Sequence, residues 1–211
     1  MRLDAFLVKC RQAPERLDDA LRDAARATRL DCASITTHLA LAGTGIYAYA
    51  WLAAPASEVN DHLARYTQAL HRDNTLSGVE DAVLPLQLLM DRPGASTGEP
   101  APFHYVVEAG VDAEHEREFN AWYDAEHLPG LAAVAGCVRA RRLRVLETPD
   151  GRSIYLACYD LVSPSTLTSE AWLSVRRTPW SDRVRPTFRD TKRTVFRTTS
   201  PTRADSAHIG N

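Results

Sequence analysis

The residues with the clearest chemical potential lie in one short stretch, 118–131, which holds a tryptophan, a tyrosine, several carboxylates and a histidine. Phe119, Tyr123 and His127 are spaced i, i+4 and i+8, so a helix places them on one face. An imidazole changes charge near neutral pH, and this one lies on a partly apolar face beside carboxylates. We therefore predict that His127 is a general acid or base.

Two neighbours complete the predicted catalytic group. Asp124 or Glu126 would orient the imidazole of His127, and Tyr123 lies on the same helix face. The alternative interpretation is a capping or core histidine whose hydrogen bonds are satisfied. The predicted catalytic residues are His127, Asp124 and Tyr123.

Pro129 predicts where this helix ends. Proline has no backbone N–H and disfavours helical geometry in the preceding residue, so the helix should end near His127 or Leu128. The helix macrodipole would then favour the protonated imidazole, whereas burial would favour the neutral one. The sequence therefore does not give the sign of the pKa shift of His127.

Polar and aromatic residues on predicted strands are candidates for substrate contacts. His104 and Glu108 share one face of a strand, unless that face is simply hydrated. Tyr155 and Tyr159 have the same spacing and either present hydroxyls to a substrate carbonyl or fill the core. Arginines on the strand at 137–146 could clamp a carboxylate or phenolate, or remain solvated at a sheet edge. The predicted substrate-binding residues are His104, Glu108, Trp122, Arg139, Tyr155 and Tyr159, with Arg141 as a second possible clamp.

Composition excludes several classes of partner. The 211 residues carry a formal net charge of −2, which gives no case for nucleic acid or an anionic membrane surface. No apolar run approaches the ~20 residues of a membrane helix, and no signal-peptide core is present. The four cysteines are isolated, as is typical of thiols in a reducing compartment. We expect a cytoplasmic protein, a monomer or homodimer, without nucleic-acid or membrane partners.

Several motifs for cofactor chemistry are absent from the sequence. It contains no His-x-x-x-His pair, no Walker loop and no Gly-x-Gly-x-x-Gly, and its one Gly-x-Ser-x-Gly run, at 94–98, lies in a stretch rich in Pro and Gly and not between a predicted strand and a predicted helix. We therefore expect no nucleotide, metal or acyl-serine chemistry, and no cofactor.

The elements that would position the candidate residues occur twice in the order β-α-β-β-α-β. Residues 1–91 form the first predicted half, with strands 3–8, 32–41, 46–52 and 83–90 and helices 14–29 and 55–72. A linker rich in Pro and Gly occupies 92–102. Residues 103–199 form the second half, with strands 103–109, 137–146, 154–161 and 192–198, helices 112–128 and 164–175, a turn at 149–151 and a tail at 200–211.

The halves also match in detail. Ile46-Tyr47 precedes Pro55 much as Ile154-Tyr155 precedes Pro164, which indicates a tandem repeat in which each proline opens a helix. A β-α-β-β-α-β unit covers one face of a four-stranded antiparallel sheet with two helices, and its other face needs a partner. The predicted fold is α+β: two tandem ferredoxin-like halves packed sheet to sheet as an intrachain barrel.

The second half resembles the dimeric α+β barrel (ferredoxin-like) superfamily and, within it, EthD-type proteins. The resemblance lies in the aromatic and acidic run that ends in His-x-Pro, the following glycine and a later tryptophan region: Trp122, Tyr123, Asp124, Glu126, His127, Pro129, Gly136, Trp172 and Pro179-Trp180. Most members build the barrel from two subunits, whereas this chain holds both halves. The first half has no His-x-Pro, so we expect one working pocket, in the second half, and a mainly structural first half.

The resemblance implies a small-molecule function but leaves the reaction open, because the superfamily includes cofactor-free enzymes, haem enzymes and ligand binders. The leading hypothesis is a cofactor-free isomerase, cyclase or lyase acting by acid–base chemistry on a small apolar cyclic or aromatic metabolite. One alternative is a monooxygenase, with or without haem. Another is a non-catalytic small-ligand-binding or stress protein, in which His127 would have satisfied nitrogens and no adjacent cavity.

Overall fold

The structure is a computed structural model that describes residues 1–11, 17–43, 45–72, 82–148 and 151–199. The chain divides into two compact units. The first contains 1–39 and 43–86 and continues from residue 198, and the second contains 40–42 and 87–197. The predicted tail at 200–211 and most of the predicted turn at 149–151 lie outside the described residues. Within the described part of the chain, no helix has the length and apolar character needed to cross a membrane.

The first unit is a four-stranded antiparallel sheet with two helices. Phe6 stacks on Tyr66 with ring centroids 4.2 Å apart, and the Tyr66 hydroxyl donates to the Leu21 carbonyl at 3.2 Å, so both helices are joined to the sheet. The strand order is β4-β1-β3-β2. The elements are β1 (Leu3–Cys10), α1 (Leu17–Ala27), β2 (Cys32–Ala40), β3 (Ile46–Ala56), α2 (Val59–Arg72) and β4 (Ala82–Pro93), the last of which continues into the second unit.

Several boundaries in this half differ from the prediction, most clearly those near two prolines. Pro55 does not open a helix, because β3 extends to Ala56 and α2 begins at Val59. A proline is tolerated near the end of a strand, where its missing N–H interrupts few ladder bonds. The start of the predicted linker, 92–93, belongs to β4, which is longer than predicted.

The second unit repeats the sheet with strand order β8-β5-β7-β6. Its first part contains β5 (Phe103–Val111), α3 (Ala113–Trp122), a π-helical turn (Tyr123–His127), α4 (Leu128–Ala132), β6 (Cys137–Val145) and β7 (Ser153–Leu161). Tyr105 of β5 stacks on its register partner Tyr159 of β7. Both rings contact Trp172, which follows later in the chain in a helix, so this face of the sheet is covered by helices.

The predicted helix at 164–175 is instead a series of short helices. A 3₁₀ helix (Pro164–Thr168) precedes α5 (Glu170–Val175), α6 (Pro179–Val184), a 3₁₀ turn (Arg185–Thr187) and β8 (Phe188–Thr198). The hydroxyls of Ser169 and Thr178 accept from the first turns of α5 and α6 at 3.2 and 3.0 Å. These caps and Pro164 and Pro179 start new helices, so one continuous helix does not form.

Candidate active site

The site is built around the π-helical turn Tyr123–His127. The Leu128 N–H donates to the Tyr123 carbonyl, one residue farther back than in an α-helix. The prediction that the helix ends near His127 is wrong, because the chain remains helical to Ala132 with Pro129 in the first turn of α4. The wide turn accommodates the proline, whose ring and missing N–H conflict with regular bonding four residues back.

The π turn surrounds His127 with aromatic rings. The imidazole stacks on Trp122 with centroids 4.0 Å apart and an interplanar angle of 20°. It meets Tyr123 edge to face at 5.3 Å, and Tyr123 in turn contacts Phe119 at 5.0 Å. The predicted shared face of Phe119, Tyr123 and His127 is therefore present. The contact with Trp122, five residues away, follows from the wider turn.

His127 is neutral in this environment. Its side chain is 8% exposed, and its Nδ1 has no hydrogen-bond partner among the described residues. Burial lowers the pKa of His127 to about 3, with further lowering by the positive charges of Arg176 and Arg185. The helix macrodipole does not favour protonation of His127, since the chain remains helical past this residue.

The two carboxylates near His127 in the sequence are engaged elsewhere. Asp124 is half-exposed and accepts from Nη1 of Arg142 at 2.9 Å. Glu126 accepts from the Trp122 indole at 3.2 Å and from the Thr178 hydroxyl at 2.5 Å. Neither forms a hydrogen bond with His127, so the imidazole is held by ring contacts.

A small cavity lies next to His127 in the second unit. Its volume is about 20 Å³, which is room for about one water molecule. The remaining lining is mostly aromatic and cationic. The aromatic residues are Tyr105, Trp122, Tyr123, Tyr159, Trp172 and Phe188, and the cationic residues are Arg176, Arg185 and Arg193.

Tyr159 supplies a second polar group to the cavity wall. It is 1% exposed, and its hydroxyl has no hydrogen-bond partner among the residues described. Burial raises the pKa of Tyr159, with smaller contributions from nearby Tyr123 and Tyr105. The phenol therefore keeps its proton and is available as a hydrogen-bond donor. Burial also raises the pKa of Tyr123.

The cavity brings together only part of the predicted site. Trp122, Tyr123, His127 and Tyr159 line it, whereas Asp124, His104, Glu108, Arg139 and Tyr155 do not. The residues outside have other contacts. His104 is buried and bonds Asp160 at 2.7 Å, as does Arg141; Arg139 pairs with Asp91, and the Tyr155 hydroxyl donates to Glu116.

Sequence reasoning missed the cationic side of the cavity and one buried arginine. Arg176 follows α5, whereas Arg185 lies in a 3₁₀ turn and Arg193 in β8, so no local spacing connects the three. Arg142 is 1% exposed and lies over the rings of Phe119, Tyr123 and Tyr155 at 4.6–5.2 Å. The only sequence signal was the density of arginine itself.

Haem, the cofactor of one alternative, does not fit this cavity. The space is the size of a water molecule, far below that of a porphyrin. Among the described ranges of the chain, no group of His, Cys, Asp and Glu side chains could hold a metal ion.

No family model and no curated protein sequence matches the chain. Several solved structures do. An anthrone oxidase-like protein is 13% identical, with a TM-score of 0.64 over 97% of each chain. A putative monooxygenase from Fusobacterium nucleatum is 7% identical, with a TM-score of 0.56 over 95% of this chain and 94% of its own. A putative monooxygenase from Lactobacillus acidophilus is 10% identical, with a TM-score of 0.53 over 95% of this chain and 96% of its own.

At such low identity the likeness shows the fold alone, and it extends over nearly the whole chain. It confirms the predicted class, α+β with two tandem ferredoxin-like halves. The EthD-type resemblance within the superfamily stays a prediction. The chain has the fold of the dimeric α+β barrel superfamily, with both halves in one polypeptide.

Proposed function

We propose that this chain is a cofactor-independent enzyme that removes a proton from a small aromatic or cyclic metabolite, next to a carbonyl group or from a phenol. One observation carries the proposal: the neutral, buried His127 lines an aromatic cavity while its Nδ1 has no hydrogen-bond partner among the described residues. A purely structural histidine would normally have its buried nitrogen satisfied.

The proton transfer uses two groups on the cavity wall. A neutral imidazole carries one unprotonated nitrogen, which accepts the proton from the substrate. The Tyr159 hydroxyl then donates a hydrogen bond to the oxyanion that forms as the proton leaves. The cavity has room for about one water molecule, so a substrate group that fills it lies against both His127 and Tyr159.

A ring-sized substrate needs more space than the present cavity offers. Arg185 and Arg193 are exposed and carry long, rotamer-rich side chains at the cavity lining. Their displacement would widen the entrance without moving the aromatic wall. Return of the proton from His127 to another substrate atom then completes an isomerisation, and ring closure or bond cleavage in the anion gives cyclase or lyase chemistry.

Oxygenation of the same anion is the second candidate. The specific observation in its favour is that the structural neighbours include putative monooxygenases and an anthrone oxidase-like protein. In that reaction a substrate CH₂ group and O₂ would give a carbonyl group and water, after the same proton removal by His127.

The test separates proton removal from oxygen chemistry. Aromatic ketones with an acidic CH₂ group are incubated with the protein in D₂O, with deuterium exchange followed by NMR without O₂ and oxygen uptake measured with it. Exchange without uptake supports isomerase, cyclase or lyase chemistry, whereas uptake supports the monooxygenase.

The decisive variant is His127→Gln, with His115→Gln as its control because His115 lies on α3 with a 39%-exposed side chain. Loss of one acid–base group should slow exchange about a hundredfold or more, and the control should match the wild type. If folded His127→Gln protein exchanges the ketone at the wild-type rate, the proposed role of His127 is wrong.

A further inference from the structure

Three arginines from separate elements form a cationic cluster on the cavity. Arg176 follows α5, Arg185 begins the 3₁₀ turn after α6, and Arg193 lies in β8. Nη1 of Arg185 donates to the Arg176 carbonyl at 3.4 Å, which keeps these two residues adjacent. Arg176 is half-buried, whereas the other two side chains are exposed.

Among the described residues, no carboxylate contacts this cluster. Within the described part of the chain, none of the three guanidinium groups has an acidic partner within 4.0 Å. Arginines on the surrounding strands and helices do have such partners: Arg139, Arg142, Arg144, Arg177, Arg183 and Arg189. Arg117 of α3 and Arg197 of β8 also have no carboxylate within 4.0 Å among the described residues, so what distinguishes Arg176, Arg185 and Arg193 is that three such arginines meet at one cavity.

The three charges also act on one another. Burial lowers the pKa of Arg185, and the charges of Arg176 and Arg193 lower it further, opposed by Asp182. Such mutual repulsion is relieved when an anion lies between the guanidinium groups. The protein therefore carries an arrangement that a negatively charged ligand would stabilise.

The adjacent buried groups indicate what else this ligand contains. His127 and Tyr159 are both more than nine-tenths buried and line the same cavity, and the His127 Nδ1 and the Tyr159 hydroxyl have no partner among the residues described. Between these groups and the arginines, the wall is formed by rings such as Trp172 and Phe188. Aromatic walls suit a flat ring, and guanidinium groups suit a carboxylate, which they bind in a bidentate manner.

We propose that the substrate is an aromatic carboxylate whose ring lies in the cavity and whose carboxylate contacts Arg176, Arg185 and Arg193. This rests on the proposed function, which identifies the site, and it narrows the substrate class from aromatic compounds in general to aromatic acids. A bound carboxylate would also offset two of the charges that weaken His127 as a base, so the substrate itself would make the imidazole more basic.

The proposal is tested with a matched pair of probes, 2-naphthoate and the neutral 2-naphthamide. Each is titrated into the full chain at low ionic strength, where charge interactions are least screened, and the heat of binding is measured. We expect naphthoate to bind at least tenfold more tightly. Arg176→Gln and Arg193→Gln should each weaken naphthoate about tenfold and leave naphthamide unchanged.

Arg177→Gln is the control, since Arg177 is adjacent in sequence but pairs with Glu170 at 3.4 Å and does not line the cavity. It should bind naphthoate like the wild type. His127→Gln should lose turnover and still prefer naphthoate to naphthamide. A failure of the proposed chemistry can therefore be told apart from a failure of the proposed substrate class. Equal affinity for the two probes, no binding of naphthoate to the wild type, or equal losses in Arg177→Gln and Arg176→Gln would overturn the proposal.

Discussion

The imidazole of His127 lies face to face on the indole of Trp122, with ring centroids 4.0 Å apart and planes inclined by 20°. The same indole donates its Nε1–H to Glu126 at 3.2 Å, and Glu126 also accepts from the Thr178 hydroxyl at the start of α6. The orientation of His127 therefore depends on Glu126 through Trp122. This gives the carboxylate an indirect positioning role, different from direct contact with the imidazole.

Replacing Glu126 by alanine should destabilise the protein by about 1–3 kcal/mol, because the Trp122 indole N–H and the Thr178 hydroxyl both lose an acceptor. Urea unfolding measures this loss, and near-UV circular dichroism should show a changed environment for Trp122. Glu114→Ala is the matched control: its side chain is 77% exposed, and the change should stay within about 0.5 kcal/mol. Equal stabilities for the two variants would contradict the positioning role.

Arg142 should contribute more to stability than its partner Asp124. Arg142 is 1% exposed, bonds Asn120 and Asp124 and lies over three rings, so Arg142→Ala removes hydrogen bonds and leaves a cavity. We expect a loss of about 3–5 kcal/mol. Asp124→Asn should cost about 1 kcal/mol or less, since the carboxylate is 52% exposed. Chemical denaturation of both variants tests the asymmetry, and similar losses would show that the ion pair dominates over the ring packing.

The sequence predicted those parts of the molecule that depend on local pattern. Matching Ile-Tyr and Pro positions in the two halves predicted the repeat. The i, i+4, i+8 spacing predicted the shared face of Phe119, Tyr123 and His127. The π turn was missed because the rule that Pro129 ends a helix assumes regular α-helical bonding. A one-residue change in hydrogen bonding is not visible in apolar periodicity.

The cationic side of the site could not be predicted for a different reason. Arg176, Arg185 and Arg193 meet only after two short helices and a strand have folded against the sheet. The pKa of His127 has the same dependence on tertiary structure, because its burial and its two charged neighbours are set by those elements. Arginine is frequent throughout this chain, so residue type alone did not distinguish these three.

Gly136, which precedes β6, should tolerate alanine less well than Gly98. Both have positive φ, +91° and +96°, so a side chain strains the backbone by roughly 1–3 kcal/mol at either position. A Cβ at Gly136 would also clash with the Thr166 hydroxyl, whereas no atom among the described residues lies within 4 Å of a Cβ at Gly98. Gly136→Ala should therefore be less stable than Gly98→Ala by an additional 1–3 kcal/mol, roughly the cost of overpacking. Equal midpoints in the thermal unfolding of the two variants would show that the Thr166 side chain moves aside without a loss of stability.

The last prediction concerns the response of His127 to acid. Its pKa is about 3 in the folded protein and 6.5 when exposed, so between these values the unfolded chain binds a proton that the folded chain does not. The contribution of the neutral His127 to the free energy of unfolding is therefore present above about pH 6.5 and is lost as the pH is lowered towards 3. One pKa unit corresponds to about 1.4 kcal/mol, which gives a loss from this residue of about 2 kcal/mol at pH 5.

His127→Phe isolates this contribution, because phenylalanine keeps a ring on Trp122 and does not titrate. Urea unfolding gives the free energy of unfolding of the wild type and of the variant at pH 7.5 and at pH 5. The contribution of the carboxylates is common to both proteins, so it cancels when the wild type and the variant are compared. Between pH 7.5 and pH 5, the wild type should lose about 2 kcal/mol more stability than His127→Phe loses. His115→Gln, changed at a partly exposed position, should follow the wild type at both pH values. A wild type and a His127→Phe variant with the same pH dependence would mean that the imidazole is protonated in the folded protein at pH 5, and that it is not the neutral base on which the proposed chemistry depends.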